Sequence, residues 1–259
     1  MRLLLSLIVC VFAAPAFAQP LLRAHAHNDY EHPRPLLDAL DHGFISVEAD
    51  IHLVDGALLV AHDLEDVVPE RTLEALYLAP LRAHIRVHSG RVYPTQQPFI
   101  LLIDIKSDAE ATYAALRPLL RRYADIMTVF TPTTMDPGPV MAILSGSRPR
   151  TTLASEPIRY AAFDGRLSDL GQDVPVAFMP LVSDNWLRFG AWYGRGPMPD
   201  STSAKLANVI AQTHAEGRLL RFWATTDSPT VWQALYDAGV DLLNADDLGA
   251  LRTFLRAQR

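Results

Sequence analysis

The chain has 259 residues, 49% of them hydrophobic and 20% charged, with a formal net charge of −6. That length holds one large core or two small ones. The acidic balance, without a dense basic stripe, excludes nucleic acid as the main partner, and a single cysteine, Cys10, excludes a disulfide framework within one chain.

The N-terminal segment reads as a secretory signal peptide. Arg2 precedes an apolar run, Ala16-Phe17-Ala18 has the form of a cleavage site, and Gln19 would begin the mature chain. The expected division is therefore a leader over 1–18 and one domain over 19–259, exported to the periplasm or secreted.

Leu21–Ala26 is predicted as the first strand and Pro35–Asp41 as a helix, with Gly43 suited to its C-terminus. Phe44–Asp50 and Ala57–Ala61 form a strand and its hairpin return about Asp55-Gly56, and an irregular insertion is expected from Glu70 to Gln97. Phe99–Ile105 is a continuous apolar run typical of a strand buried on both faces. Ser107-Asp108 then opens a helix from Ala109 to Tyr123, with acids near its start and Arg121-Arg122 near its end. Further strands are expected near Ile126–Phe130, Val140–Leu144, Tyr160–Phe163, Val176–Met179, Leu219–Trp223 and Leu242–Asn244. Helices are expected over Ser203–Glu216, Ser228–Ala238 and Asp247–Ala257. Strand alternating with helix predicts an α/β chain with parallel strands, and about eight such units in this length fit a single (β/α)8 TIM barrel. The insertion then falls between strands 2 and 3. A doubly wound sheet fits less well, because no Gly-x-Gly-x-x-Gly follows any strand.

The informative polar residues sit at the C-terminal ends of predicted strands, which in a barrel open on one face. Glu48 and Asp50 alternate on one strand and point the same way. Two crowded carboxylates repel, and a hard divalent cation relieves them. Glu48, Asp50 and Asp104, with the amide oxygen of Asn28, make an all-oxygen shell for one Mg²⁺ or Ca²⁺. Lys106 shares a strand face with Asp104 and can neutralise a phosphate oxygen. His27 and His62 supply a base and an acid on opposite sides of a phosphorus. Trp223 would form an apolar wall for the alcohol portion of a substrate. His25 shares a face with His27, so it is either a supporting residue close to the substrate or the catalytic base itself. His52 shares a face with Glu48 and Asp50.

The order His-Asn, Glu-x-Asp, His-Asp, Asp-x-Lys, Trp resembles the superfamily of phospholipase C-like phosphodiesterases, which includes glycerophosphodiester phosphodiesterases and phosphoinositide-specific phospholipases C. The stretches 25–30, 101–112, 221–227 and 239–248 look most like its altered-inheritance-of-mitochondria branch. The resemblance spans essentially the whole of 19–259. It implies that His27 and His62 are catalytic, that Asn28, Glu48, Asp50 and Asp104 hold the metal, and that Lys106 contacts phosphate. Attack on a phosphodiester by a neighbouring hydroxyl or by water follows. The chain departs from glycerophosphodiesterases, which carry His-Arg-Gly at the end of strand one where Asn28 here follows His27.

The expected partner is a phosphodiester small molecule or lipid head group. The aromatics and arginines of 186–198 are candidates for shaping the pocket or for peripheral membrane contact. Two other readings compete: a non-catalytic metal-binding barrel of the cell envelope, and an amidohydrolase-type metal hydrolase opened by His25-x-His27.

Overall fold

The computed structural model describes residues 18–258, so the predicted leader lies, but for its last residue, outside the described residues. Eight parallel strands carry the fold: β1 (Leu21–Ala26), β2 (Phe44–Val54), β3 (Phe99–Ile105), β4 (Val140–Gly146), β5 (Ala162–Gly165), β6 (Leu181–Asn185), β7 (Leu219–Trp223) and β8 (Leu243–Ala245). Each pairs with the next in sequence from β1 to β7, and β8 pairs with β1. A bridge between Arg221 and Leu242 joins β7 to the approach of β8 and closes the ring. The predicted (β/α)8 barrel is therefore present.

Helices α1 (Leu37–His42), α2 (Ala79–Val87), α3 (Ala109–Arg122), α4 (Arg150–Ser155), α5 (Trp186–Phe189), α6 (Asp200–Ala215), α7 (Pro229–Ala238) and α8 (Leu248–Ala257) follow the strands, with α5 and α6 both after β6 and a 3-10 turn over Leu167–Asp169 between β5 and β6. Their starts follow local chemistry. Asp108 caps α3 by accepting the Ala111 amide at 2.9 Å, and Asp247 caps α8 by accepting the Ala250 amide at 2.9 Å. Helix α1 ends at Gly43, whose φ of 87° gives the left-handed closure that a side chain would resist.

Strand β3 is buried along its length except at Asp104, as expected of a strand covered on both faces. Strand β2 runs eleven residues and outreaches its neighbours. Beyond the rim it pairs antiparallel with Ala57–Val60 through Asp55 (φ 48°) and Gly56 (φ 80°), the two positive φ angles that a tight type I′ hairpin turn demands. The return carries the chain back to His62.

Three expected elements differ. Val176–Met179 is a turn, in which the Pro175 carbonyl accepts from the amides of Phe178 at 2.9 Å and Met179 at 3.1 Å. Prolines at 175 and 180 remove ladder donors at both ends of that apolar run, and β6 begins only after Pro180. In Ile126–Phe130 only Val129–Phe130 is strand, paired antiparallel with Met135–Asp136 outside the barrel. The insertion between β2 and β3 is partly regular: a π-helical turn over Glu74–Leu78 leads into α2, and irregular chain remains at 70–71 and 88–98.

Candidate active site

Small barrels usually fill their interior with apolar layers; this one holds two polar networks. On one side, His25 of β1 is fully buried, with Nδ1 2.7 Å from Ser46 Oγ and Nε2 3.3 Å from Glu48 Oε2. Arg221 of β7 reaches across to the same Glu48 oxygen and donates through Nε to Asn244 Oδ1 at 2.8 Å. On the other side, Ser145 of β4 and Ser183 of β6 both donate to Asp164 of β5. Above them opens a cavity of about 580 Å³, lined by His27, Asn28, His62, Lys106, Arg166 and Trp223 among others.

The register of β2 and β3 sets Asp50 directly beside Asp104, and carboxylate oxygens of Glu48, Asp50 and Asp104 lie within 4.8 Å of one another. Their charges respond as crowded, buried acids do. Burial and the neighbouring carboxylates push Asp104 up to about 6 and raise Asp50, against the pull of Lys106. Burial would raise Glu48 too, but the Arg221 guanidinium and the hydrogen bond from His25 together outweigh it and hold Glu48 well below the usual range. Lys106 bridges the pair, with Nζ 3.0 Å from Asp50 Oδ2 and 3.2 Å from Asp104 Oδ1.

Asn28 adopts a left-handed conformation (φ 45°, ψ 42°) at the end of β1, and its Oδ1 accepts from the Tyr30 hydroxyl at 3.0 Å. The same hydroxyl donates to Asp50 Oδ2 at 2.7 Å. Among the described residues, Asp50 Oδ1 is buried without a hydrogen-bond partner. A buried orphan carboxylate oxygen within an all-oxygen cluster fits a hard divalent cation, Mg²⁺ or Ca²⁺.

Gly146 backs this cluster. It has φ +66°, and a Cβ there would collide with Asp104 Oδ1 and the Ile105 carbonyl. Gly146→Ala is expected to destabilise the protein by about 1–3 kcal/mol through strain and overpacking. It should also weaken cation binding, read by thermal melts with and without the ion. Full retention of the ion-induced shift would show that Asp104 does not hold it.

The raised carboxyls predict how stability varies with pH. The folded pKa of Asp104 lies above its unfolded value, so its contribution is full below about pH 4 and is lost as pH rises through about 6. For the metal-free protein the loss is of order 3 kcal/mol. A bound cation favours the ionised form, so added Mg²⁺ or Ca²⁺ should raise Tm more at pH 7 than at pH 5. An equal shift at both would count against carboxylate ligation.

The two cavity histidines stand on different supports. His27 Nδ1 is 2.7 Å from Asp246 Oδ1, on the loop after β8. Burial works to lower the His27 pKa, but this hydrogen bond and the charge of Glu48 outweigh it, and the net direction is upward. His62 Nδ1 is 3.1 Å from Asp50 Oδ2, and half of its side chain is exposed. His52 faces the carbonyl of His62, with Nε2 3.2 Å away, and so braces the hairpin rather than joining the cluster. His25 is kept out of the cavity lining, and burial together with Arg221 depresses its pKa to about 3. Its Nε2 faces Glu48 instead. Trp223 is among the residues that line the cavity. Sequence reasoning passed over Arg221, Arg166 and Tyr30. For Arg221 a signal existed: an arginine inside an apolar strand, two residues before Trp223 and so on the same face.

Comparison with known proteins adds to this geometry. Residues 18–164 match the AIM6-like phosphodiesterase domain. Altered inheritance of mitochondria protein 6 of Eremothecium gossypii is 30% identical, over 90% of this chain and 69% of that protein. The homolog from Arthroderma benhamiae is 29% identical, over 89% and 82%. Among solved structures, a glycerophosphodiester phosphodiesterase from Parabacteroides distasonis shares the fold with a TM-score of 0.57 at 14% identity, covering 93% of this chain and 99% of that one. These relatives overturn the expectation of a periplasmic or secreted protein, because the curated ones are named for mitochondrial inheritance. The physical reason is plain: an apolar leader with one arginine records hydrophobicity, and hydrophobicity alone does not name a compartment.

Proposed function

The chain belongs to the family of AIM6-like phosphodiesterase domains, and from that premise we propose that it is a divalent-cation-dependent phosphoric diester hydrolase. Its substrate in this reading is a small phosphodiester or a lipid head group. The observation that supports it most is the meeting of His27, His62, Lys106, Glu48 and Asp104 on one cavity, with Asp50 buried in the same carboxylate cluster.

Asn28, Glu48, Asp50 and Asp104 would hold one Mg²⁺ or Ca²⁺, which when bound supplies positive charge to a phosphoryl oxygen. His27 accepts the proton of the attacking hydroxyl at Nε2, since Nδ1 is committed to Asp246. His62, delivered by the hairpin, protonates the leaving oxygen. Lys106 offsets charge on the phosphoryl group as it develops. Trp223 packs against the alcohol portion. Contact with a lipid surface is supported by Leu64, 60% exposed just after His62, and by Leu187 and Tyr193 on the chain that follows β6.

The test is hydrolysis of bis(p-nitrophenyl) phosphate by purified protein with Mg²⁺ or Ca²⁺, with a chelator, and with His27→Ala as the contamination control. Turnover that needs the cation and vanishes in the variant is expected. Cation-dependent stabilisation without turnover on this or any head-group diester would favour a barrel that binds and does not hydrolyse.

A further inference from the structure

The proposed hydrolysis uses the wall built by β1, β2 and β3. The opposite wall, at the ends of β4 and β5, carries a second charged group. Arg166 follows β5 directly and lines the same cavity as His27 and Lys106; in a ring of eight strands β5 stands across from β1.

The guanidinium is anchored along one edge. Nη1 donates to Asp164 Oδ2 at 2.7 Å and to the Gly165 carbonyl at 2.8 Å, with a longer contact of 3.4 Å to Ser183 Oγ. Asp164 is itself fully buried and held by two serine hydroxyls, so the anchor does not swing. Nη2 has one long contact, 3.4 Å to Ser145 Oγ. Among the described residues no hydrogen bond engages Nε, and Nε is not fully buried. With the Nη1 edge turned into the strand ends, the exposed quarter of the side chain meets the cavity.

Nearby acids are already occupied. Asp169 takes Arg150 and the Arg166 amide, each at 2.8 Å, and Asp184 takes the amides of Leu167 and Asn185. Arg148 stands close by, stacked 4.7 Å from the Phe163 ring and donating to the Asp164 carbonyl. A guanidinium pinned on one edge and open on the other offers a planar donor fork, the geometry that matches a carboxylate or phosphate.

We propose that Arg166 forms a subsite for an anionic group carried by the substrate beyond its scissile phosphodiester. The favoured substrates are then diesters with a second acidic group, a carboxylate or a phosphomonoester. This rests on the phosphodiesterase reading above and adds to it what the alcohol portion must present.

The experiment uses p-nitrophenyl alkyl phosphates whose alkyl chain ends in a carboxylate, beside their methyl esters, over a range of chain lengths. A parallel series ends in a phosphomonoester and separates the two anion sources. At the best length, kcat/KM should favour the acid over its ester by about tenfold. Arg166→Gln should erase that ratio, lowering hydrolysis of the acid far more than hydrolysis of its methyl ester. Arg166→Lys, which keeps a charge against Asp164, should show an intermediate ratio and serves if Arg166→Gln melts early. Equal rates for acid and ester in the native protein, or a ratio unchanged in both variants, would overturn the subsite while leaving the hydrolase intact. Failure of the native protein to cleave any diester would overturn both.

Discussion

Replacing His27 by alanine is expected to lower kcat on bis(p-nitrophenyl) phosphate by roughly 10²–10⁴-fold, the usual worth of a positioned base, without moving the cation concentration that gives half-maximal stabilisation. His62→Ala should behave differently. As the acid, it matters most when the leaving alcohol is poor. Its loss should cost a comparable factor on an alkyl diester and far less on the p-nitrophenyl ester, whose leaving group departs without a proton. Equal losses on both substrates would contradict the assignment. Asp246 gives a further handle, because its hydrogen bond helps raise the His27 pKa from its ordinary value. The rate should climb as His27 loses its proton, so Asp246→Asn should move the acidic limb of kcat/KM to lower pH while lowering the plateau.

The second large effect concerns stability. Arg221 and Glu48 are a buried ion pair, both nearly inaccessible, and Asn244 and His25 complete the set around them. Arg221→Met should cost about 3–5 kcal/mol, because it strands an unpaired carboxylate in the barrel. In a domain of this size that is a fall in Tm on the order of 10 °C. Adding Glu48→Gln should return part of the loss, and the double-mutant cycle measures how much of it belongs to the pair. A fall of under about 1 kcal/mol in the single variant would mean that water or a cation screens Glu48 better than its burial implies.

The barrel was legible because its strands are apolar runs punctuated by polar ends, and Phe99–Ile105 matched its strand residue for residue. Where legibility failed, apolarity and backbone donors parted company: Val176–Met179 is as apolar as a strand but lies between two prolines. The cluster of Glu48, Asp50 and Asp104 was readable from alternation on two adjacent strands, and the structure sets those residues side by side. Arg221 and Glu48 lie 173 positions apart and meet only because the ring closes. Nothing local marks such a contact. Arg166 was equally silent, since one arginine after a short strand reads as a solvated side chain until Asp164 is seen pinning it.

Strand β2 and its hairpin carry Glu48, Asp50 and His62 on one continuous stretch of chain. Glu48 and Asp50 sit where β2 pairs with β3, and the return strand is held by β2 and also, through Leu59 and Val60, by Thr72 and Arg71. The free end of the hairpin is the turn at Asp55-Gly56; His62 lies back at its root, tethered to Asp50 Oδ2. Acid and cation cluster are thus yoked, because moving His62 pulls on a carboxylate that would hold the ion. Altering the brace between His52 and the His62 carbonyl should therefore change substrate size and cation affinity together.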